Sequence, residues 1–255
     1  MEAPSLFVIV PGFGKPHISE KVRILQENVA RIDTFPWSRL VIKVCIYDPE
    51  AILHIPTKLR NDERIEWIVQ PGIVGQFIHA YASPSQTCGF DFVLIILDDI
   101  ELQPNFDFQK LIQYHGMFGF DIYSPSLTLD SKYQFNYLLT KPESIAHIFV
   151  VCACEAFCYF MPKSSYDRYY QHIEPKINPW LWGMDMCLYR CIGMKAAVIN
   201  CMNMRHYYKN ECYELRPDAD PIVGRNHLLQ KYDVTMDELV NQKAVLYYII
   251  DGALV

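Results

Sequence analysis

Hydrophobic and polar positions along the chain fall into two regimes. In the first, short uninterrupted apolar runs each end at Pro, Gly or Asp. Leu6–Val10 (LFVIV) closes on Pro11-Gly12-Phe13-Gly14, Leu40–Tyr47 (LVIKVCIY) on Asp48-Pro49, Ile65–Val69 on Gln70-Pro71-Gly72, and Phe92–Leu97 (FVLIIL) on Asp98-Asp99. Runs of this length, rich in β-branched residues and without a polar face, predict strands buried on both sides. Between them, 19–32 carries apolar residues at 22, 24, 25, 29 and 32, close to helical spacing, with Ser19 placed to cap it. A second helical segment runs from about Gly75 to Ser83. Strands alternating with helices predict an α/β fold with a mostly parallel central sheet, and a Rossmann-like nucleotide-binding half over about 1–105.

From about residue 107 the pattern changes. Phe108–Gly116 reads as a helix, Asp121–Leu127 as a short strand and Phe149–Phe160 as a longer strand. Ser164–His172 reads as a helix, Asn178–Trp182 as a loop, Met184–Ile192 as a further helix and Ala196–Asn200 as a strand. After Glu214 the chain turns polar and loop-like, then closes with one or two helices near Asp237–Ile250. No repeat, linker or low-complexity tract divides it. The expectation is one domain over 1–255, in which about 106–255 forms a mixed half with C-terminal helices, the half to which the resemblance described below would give the acceptor.

Composition narrows the class. The 255 residues are 51% hydrophobic, 14% aromatic and 20% charged, which provides a core and excludes a disordered chain. The net charge of −6, with no run of Lys or Arg, argues against a nucleic-acid partner, because phosphate neutralisation needs clustered cations. Nine cysteines cannot all pair within one chain, and most lie in apolar runs such as VVCACEAFCYF. They read as free thiols in a reducing compartment, which predicts a cytoplasmic protein. No CxxC pair offers zinc its usual ligand spacing. Met1–Ser5 has no positive charge, and no segment approaches the ~20 apolar residues of a membrane span.

Ligands of open α/β sheets bind beyond the carboxyl ends of the strands, so candidate chemistry starts there. Asp98-Asp99-Ile100-Glu101 is the sharpest feature: three carboxylates in four positions at a buried strand end repel one another unless a cation or donors compensate. A divalent metal bridging them to a diphosphate fits, since hard cations take oxygen ligands; a solvated turn or helix cap is the plainer alternative. Pro11, Gly12, Phe13 and Gly14 would let backbone approach a nucleotide, or form an ordinary turn; no GxGxxG or Walker pattern is present. Asp48 would accept from a base or ribose, or cap the turn before Pro49, and Gly75 lies in the loop after the third strand.

Asn178-Pro-Trp-Leu-Trp-Gly-Met-Asp185 sets Trp180 and Trp182 close to Asp185. Indole faces stack on sugar rings, and a nearby carboxylate takes or orients a hydroxyl proton. The alternative is two core tryptophans and a helix-start Asp, where the dipole would hold Asp185 ionised unless burial raises its pKa. Glu155 interrupts an apolar strand and is either a core ion pair or a substrate contact. His206 in MRHYYKN is a candidate metal or phosphate ligand, or a structural histidine.

Together, FDFVLIILDDIEL, SPSLTLDS, CEAFCYFMP, WLWGMD and MRHYY, over about 91–208, resemble nucleotide-sugar glycosyltransferases of the GT-A fold. The likeness is nearest to a plant and bacterial family with DED-like and WGxD motifs, and to glycosyltransferases encoded by large algal viruses. It implies a single GT-A-like domain, in a viral setting in the host cytoplasm, with a nucleotide-sugar donor, UDP favoured, and a glycan or glycoprotein acceptor. It further implies that Asp98, Asp99 and Glu101 are a variant DxD motif, with Asp98 on the nucleotide and Asp99, Glu101 and His206 on Mn²⁺ or Mg²⁺. Asp185 would be the acceptor-side carboxylate and Glu155, Trp180 and Trp182 the sugar contacts. The sequence reads Asp-Asp-Ile-Glu, not Asp-x-Asp, so the ligand register is open. A base at Asp185 would make the transfer inverting; without one a retaining path remains. The rival readings are a nucleotidyltransferase, whose Gly-rich loop would carry more cations than Lys15, and a non-catalytic carbohydrate-binding module.

Overall fold

The computed structural model describes residues 3–208, 219–242, 244–250 and the backbone of 253–254. The apolar runs form β1 (Leu6–Phe13), β2 (Leu40–Ile46), β3 (Ile65–Val69) and β4 (Phe92–Ile96), with α1 (Ile18–Ile32), the single-turn α2 (Thr57–Arg60) and α3 (Val74–Tyr81) between them. β5 (Ile100–Leu102), α4 (Phe108–Phe118), β6 (Ile122–Leu127), β7 (Ile148–Val151), β8 (Cys158–Pro162), α5 (Lys163–Tyr170) and α6 (Met184–Cys187) follow. The chain continues through β9 (Ala196–His206), α7 (Pro221–Lys231), α8 (Met236–Val240), β10 (Val245–Ile250) and β11 (Ala253–Leu254).

All strands join one mixed sheet in the order β11-β10-β7-β9-β6-β8-β4-β1-β2-β3, with β5 paired to β9 off this path. The first half is parallel throughout: β1 lies between β2 and β4, and β3 pairs with β2. The second half mixes directions, β6 running parallel to β9 while β8 runs antiparallel to both β4 and β6. Every side chain of β4 is buried, the expected state of a strand covered on both faces, and each such Val, Ile, Leu or Phe contributes about 1.5–3 kcal/mol. The architecture is a single α/β domain with helices flanking a large central sheet.

Several local expectations need correcting. Ser19 does not cap α1; His17 occupies the cap position, and its carbonyl accepts from the N–H groups of Glu20 and Lys21 at 3.0 and 3.1 Å. The predicted strand 149–160 is two strands. β7 and β8 are separated in the sheet by β9 and β6, so the chain must leave the sheet over 152–157, and Glu155 sits in that connection. The predicted helix 184–192 stops after one turn, and the strand expected over 196–200 runs on to His206. Near the C-terminus, α8 is followed by a strand: the β-branched and aromatic VLYYII run pairs antiparallel with β7. The polar stretch after Glu214 contains α7, started by the Asp220 cap and Pro221; 214–218 lie outside the described residues.

One buried polar face positions the acidic motif. Helix α1 buries Val22, Leu25, Val29 and Ile32, and on the same side Lys21 and Asn28. Asn28 donates to the carbonyl of Ile100 at 2.6 Å and accepts from the N–H of Leu102 at 2.8 Å. Its amide thereby acts as a surrogate strand for the short β5, whose backbone groups need partners once buried.

Candidate active site

A cavity of about 250 Å³ opens beyond the carboxyl ends of the parallel strands, where the fold class places ligands. Its wall takes Pro11 and Gly12 from β1, Tyr47 after β2, Gly72 to Val74 after β3, and Leu97 to Asp99 after β4. Glu155 to Phe157 from the β7–β8 connection, Trp180 to Trp182, Asp185, His206 and Tyr208 are also part of it. Residues 107 positions apart in sequence thus share one space.

The pairing of β5 with β9 explains the most consequential of these meetings. Ile100 stands opposite His206, so Asp99, the residue just before, falls beside the imidazole. The ladder continues one step further, the N–H of Tyr207 donating to the carbonyl of Asp99 at 3.2 Å. His206 Nε2 lies 3.1 Å from Asp99 Oδ2, while Nδ1 lies 2.6 Å from the carbonyl oxygen of Lys132. A carbonyl only accepts, so Nδ1 carries a proton and donates to it; Nε2, facing a carboxylate, bears a second proton when the ring is charged and a lone pair when it is neutral. Burial opposes charge on this ring, but Asp99 and the Lys132 carbonyl outweigh it and raise the pKa. The segment Ser124–Ser131 contributes the support: Ser131 Oγ accepts from the His206 N–H at 3.1 Å.

Asp99 and His206, which meet each other at 3.1 Å, are the residues that could hold a divalent cation, and a ring whose other nitrogen is fixed by a carbonyl has the usual outer support of a metal-binding histidine. Among the described residues no group of three or more His, Cys, Asp or Glu side chains converges, so remaining ligands would come from water or a bound diphosphate.

Asp98 turns elsewhere. Its Oδ2 is 2.8 Å from Lys21 Nζ and 3.4 Å from the Gly14 N–H, and burial raises its carboxyl to about 6 with Lys21 pulling the other way. Glu101 is not brought to Asp99 and His206: Asp99 belongs to the turn, whereas Glu101 lies on β5 outside the cavity wall, bonded to Arg23 at 2.6 Å and to the Tyr207 hydroxyl. Burial works to raise Glu101, but Arg23 and Tyr207 hold its carboxyl below the usual value.

Glu155 and Asp185 face the cavity from the other half. Both oxygens of Glu155 accept from the Gln134 N–H, at 3.0 and 3.1 Å, and burial pushes its carboxyl up to about 7. Burial likewise raises Asp185 to about 6, against the pull of the Met186 and Gly183 amides in the first turn of α6. Burial therefore supplies the upward shift that a proton acceptor at a helix start requires. The tryptophan loop is fastened by Asn178, whose side chain accepts from the Trp182 N–H and donates to the Trp182 carbonyl, both at 3.0 Å. Trp180 Nε1 donates to the Ala219 carbonyl at 2.6 Å.

The remaining nucleotide-side expectations divide. Pro11 and Gly12 line the cavity, but the Phe13 side chain is fully buried in the core and does not. Gly14 lies behind the wall, where a Cβ would fall 2.7 Å from the Tyr47 ring. Asp48 accepts from the Glu50 N–H at 3.1 Å and caps the turn at Pro49, away from the cavity. Gly75 is a packing residue: its N–H donates to the Pro179 carbonyl at 2.7 Å, and a Cβ would meet that oxygen at 2.8 Å. Sequence reasoning pointed to Tyr47 only as a strand-end residue, and it missed Lys21, Gln134, Phe157 and Tyr208 in the wall. Of the missed residues only Lys21 left a signal, as a cation on the apolar face of α1.

No family model matches the chain, and no curated protein matches it. Among solved structures it is similar to GalNAc-T7, crystallised with UDP, GalNAc and Mn²⁺, at TM-score 0.61 and 11% identity over 94% of this chain and 50% of that one. It thus spans about half the length of that protein. Lesser likenesses are to A197 from STIV, TM-score 0.46, 11% identity, 80% of this chain and 86% of that one. A "putative nucleotide-diphospho-sugar transferase" from Desulfovibrio desulfuricans G20 matches at TM-score 0.45 and 12% identity over 94% and 98%. The chain therefore shares the fold of GalNAc-T7 over most of its own length. No helix of the described residues is long and apolar enough to cross a membrane.

Proposed function

We propose that this chain is a metal-dependent glycosyltransferase moving a sugar from a nucleotide-diphosphate sugar, with UDP the favoured carrier, to a hydroxyl of a glycan or glycoprotein. The observation that carries this reading is the meeting of Asp99 and His206 in one cavity with Asp185, Glu155 and the tryptophan pair. The GT-A-like fold supports it, as does the UDP and Mn²⁺ bound by GalNAc-T7.

In this reading Pro11, Gly12 and Tyr47 receive the nucleoside and Asp98 its ribose. Asp99 and His206 hold the cation, the imidazole favouring Mn²⁺ over Mg²⁺. Bound there, the ion would supply Lewis-acid neutralisation of the charge that develops on the leaving diphosphate. Trp180 and Trp182 offer faces to a sugar ring, Glu155 accepts from its hydroxyls, and Asp185 orients and deprotonates the acceptor hydroxyl. Glu101 serves from outside the cavity, tying β5 to α1 through Arg23. Holding donor and acceptor together in one space removes much of the entropic barrier to their reaction.

Thermal unfolding with UDP or GDP, with and without Mn²⁺, tests the reading. UDP with Mn²⁺ at a hundredfold excess over Kd is expected to add about 2.7 kcal/mol, RT ln(1+[L]/Kd). For a chain of this size that is roughly 5–10 °C in Tm. Absence of a metal-dependent shift with any nucleotide contradicts the proposal.

A further inference from the structure

Among the described residues, Lys21 is the only lysine or arginine in the cavity wall. It projects from the inner face of α1, and its ion pair with Asp98 is withdrawn from solvent, the two side chains 3% and 9% exposed. Such a pair is a poor stabilising device: desolvating both charges costs about what their attraction returns, and apolar residues of similar volume would pack the position as well. Its location suggests a different use. Asp98 and Asp99 bring two negative charges to a space that would receive a diphosphate, and Lys21 cancels one of them. With a divalent ion on Asp99 and His206, these groups then carry a net positive charge; without Lys21 they would be neutral toward an anionic donor.

We propose that Lys21 is a phosphate-binding residue of the donor site, held by Asp98 so that its ammonium also reaches the diphosphate oxygens, giving part of the donor affinity without metal. The inference rests on the donor reading above. Lysine suits the task, because an ammonium has three rotatable donors and can keep Asp98 on one of them while exchanging another to a phosphate oxygen. The rival role is purely positional: Lys21 would orient Asp98 for a ribose hydroxyl and never touch phosphate.

Calorimetric titration of UDP, inorganic pyrophosphate and uridine, in EDTA and in Mn²⁺, separates the two. In EDTA, Lys21→Met is expected to weaken UDP and pyrophosphate at least tenfold while uridine changes less than twofold. Because that variant leaves Asp98 buried and uncompensated, Lys21→Met/Asp98→Asn, which removes both charges, carries the UDP and pyrophosphate comparison should the single variant not fold. Unchanged UDP affinity in EDTA, or equal losses for UDP and uridine, overturns the inference alone. Failure of the unmutated protein to bind any of the diphosphates, even with Mn²⁺, overturns the sugar-transfer reading and this inference together.

Discussion

Asp99→Asn is expected to abolish Mn²⁺-dependent use of the donor while leaving the fold intact. The substitution keeps the shape of the side chain, and the backbone bond from the Tyr207 N–H to the Asp99 carbonyl, which extends the β5–β9 ladder, is untouched. What it removes is the anionic oxygen 3.1 Å from His206 Nε2. A neutral amide would leave a bound cation to the imidazole of His206 and to the donor itself. Loss of one preorganised group that stabilises developing charge costs roughly 10²–10³ in rate, about 3–4 kcal/mol. Donor hydrolysis and transfer assays across a Mn²⁺ series, beside a urea unfolding curve, check it. Turnover like that of the unmutated protein would remove Asp99 from the metal site.

The second large effect is expected at Asp185, and it differs in kind. Asp185→Asn should lower transfer about 10²–10⁴-fold, the usual worth of a positioned proton acceptor, while UDP affinity stays within twofold. The group must be ionised to act, and burial places its pKa at about 6. Transfer by the unmutated protein should therefore rise as pH increases through about 6 and level off above it. The Asn variant should lose the Asp185 share of that limb, keeping only what Asp98 and Glu155, raised to about 6 and about 7 in the same cavity, contribute. Parallel losses of donor binding and transfer would mean that Asp185 supports the cavity and takes no proton.

How much of this was visible in the sequence varies by element. β1 to β4 were legible because a strand buried on both faces needs an unbroken apolar run, and little else produces one that short. β5 was not, because Ile100–Leu102 is too short for a pattern and exists by virtue of β9 and the Asn28 amide. The continuation of β9 to His206 depends on a register shift opposite Pro125 and Ser126, which no local pattern reveals. Glu155 drew attention as a carboxylate in an apolar stretch, but the strand assigned to it broke because β7 and β8 have different neighbours.

The candidate site shows the same division. Carboxylates announce themselves by type, so Asp98, Asp99, Glu101 and Asp185 stood out in the sequence, but their partners decide what each does. Arg23 holds Glu101 outside the cavity and Lys21 pairs with Asp98 in its wall, both from one helix more than 70 residues earlier in the chain. Glycines misled in the other direction. Gly75 and Gly14 stand where a Cβ would strike Pro179 or Tyr47, so packing demands them whatever the cavity binds. Phe13 and Asp48 followed the same course, one into the core and the other into a cap.

The proposed transfer depends above all on one coordination unit: Asp99, His206 and a nucleotide diphosphate sharing a divalent cation. Pulsed electron paramagnetic resonance of Mn²⁺ bound with UDP tests it most directly. The expected spectrum carries nitrogen coupling from a single imidazole together with phosphorus coupling from UDP, and His206→Gln removes the first while keeping the second. Mn²⁺ bound with no nitrogen coupling, or a coupling that survives His206→Gln, would contradict the assignment.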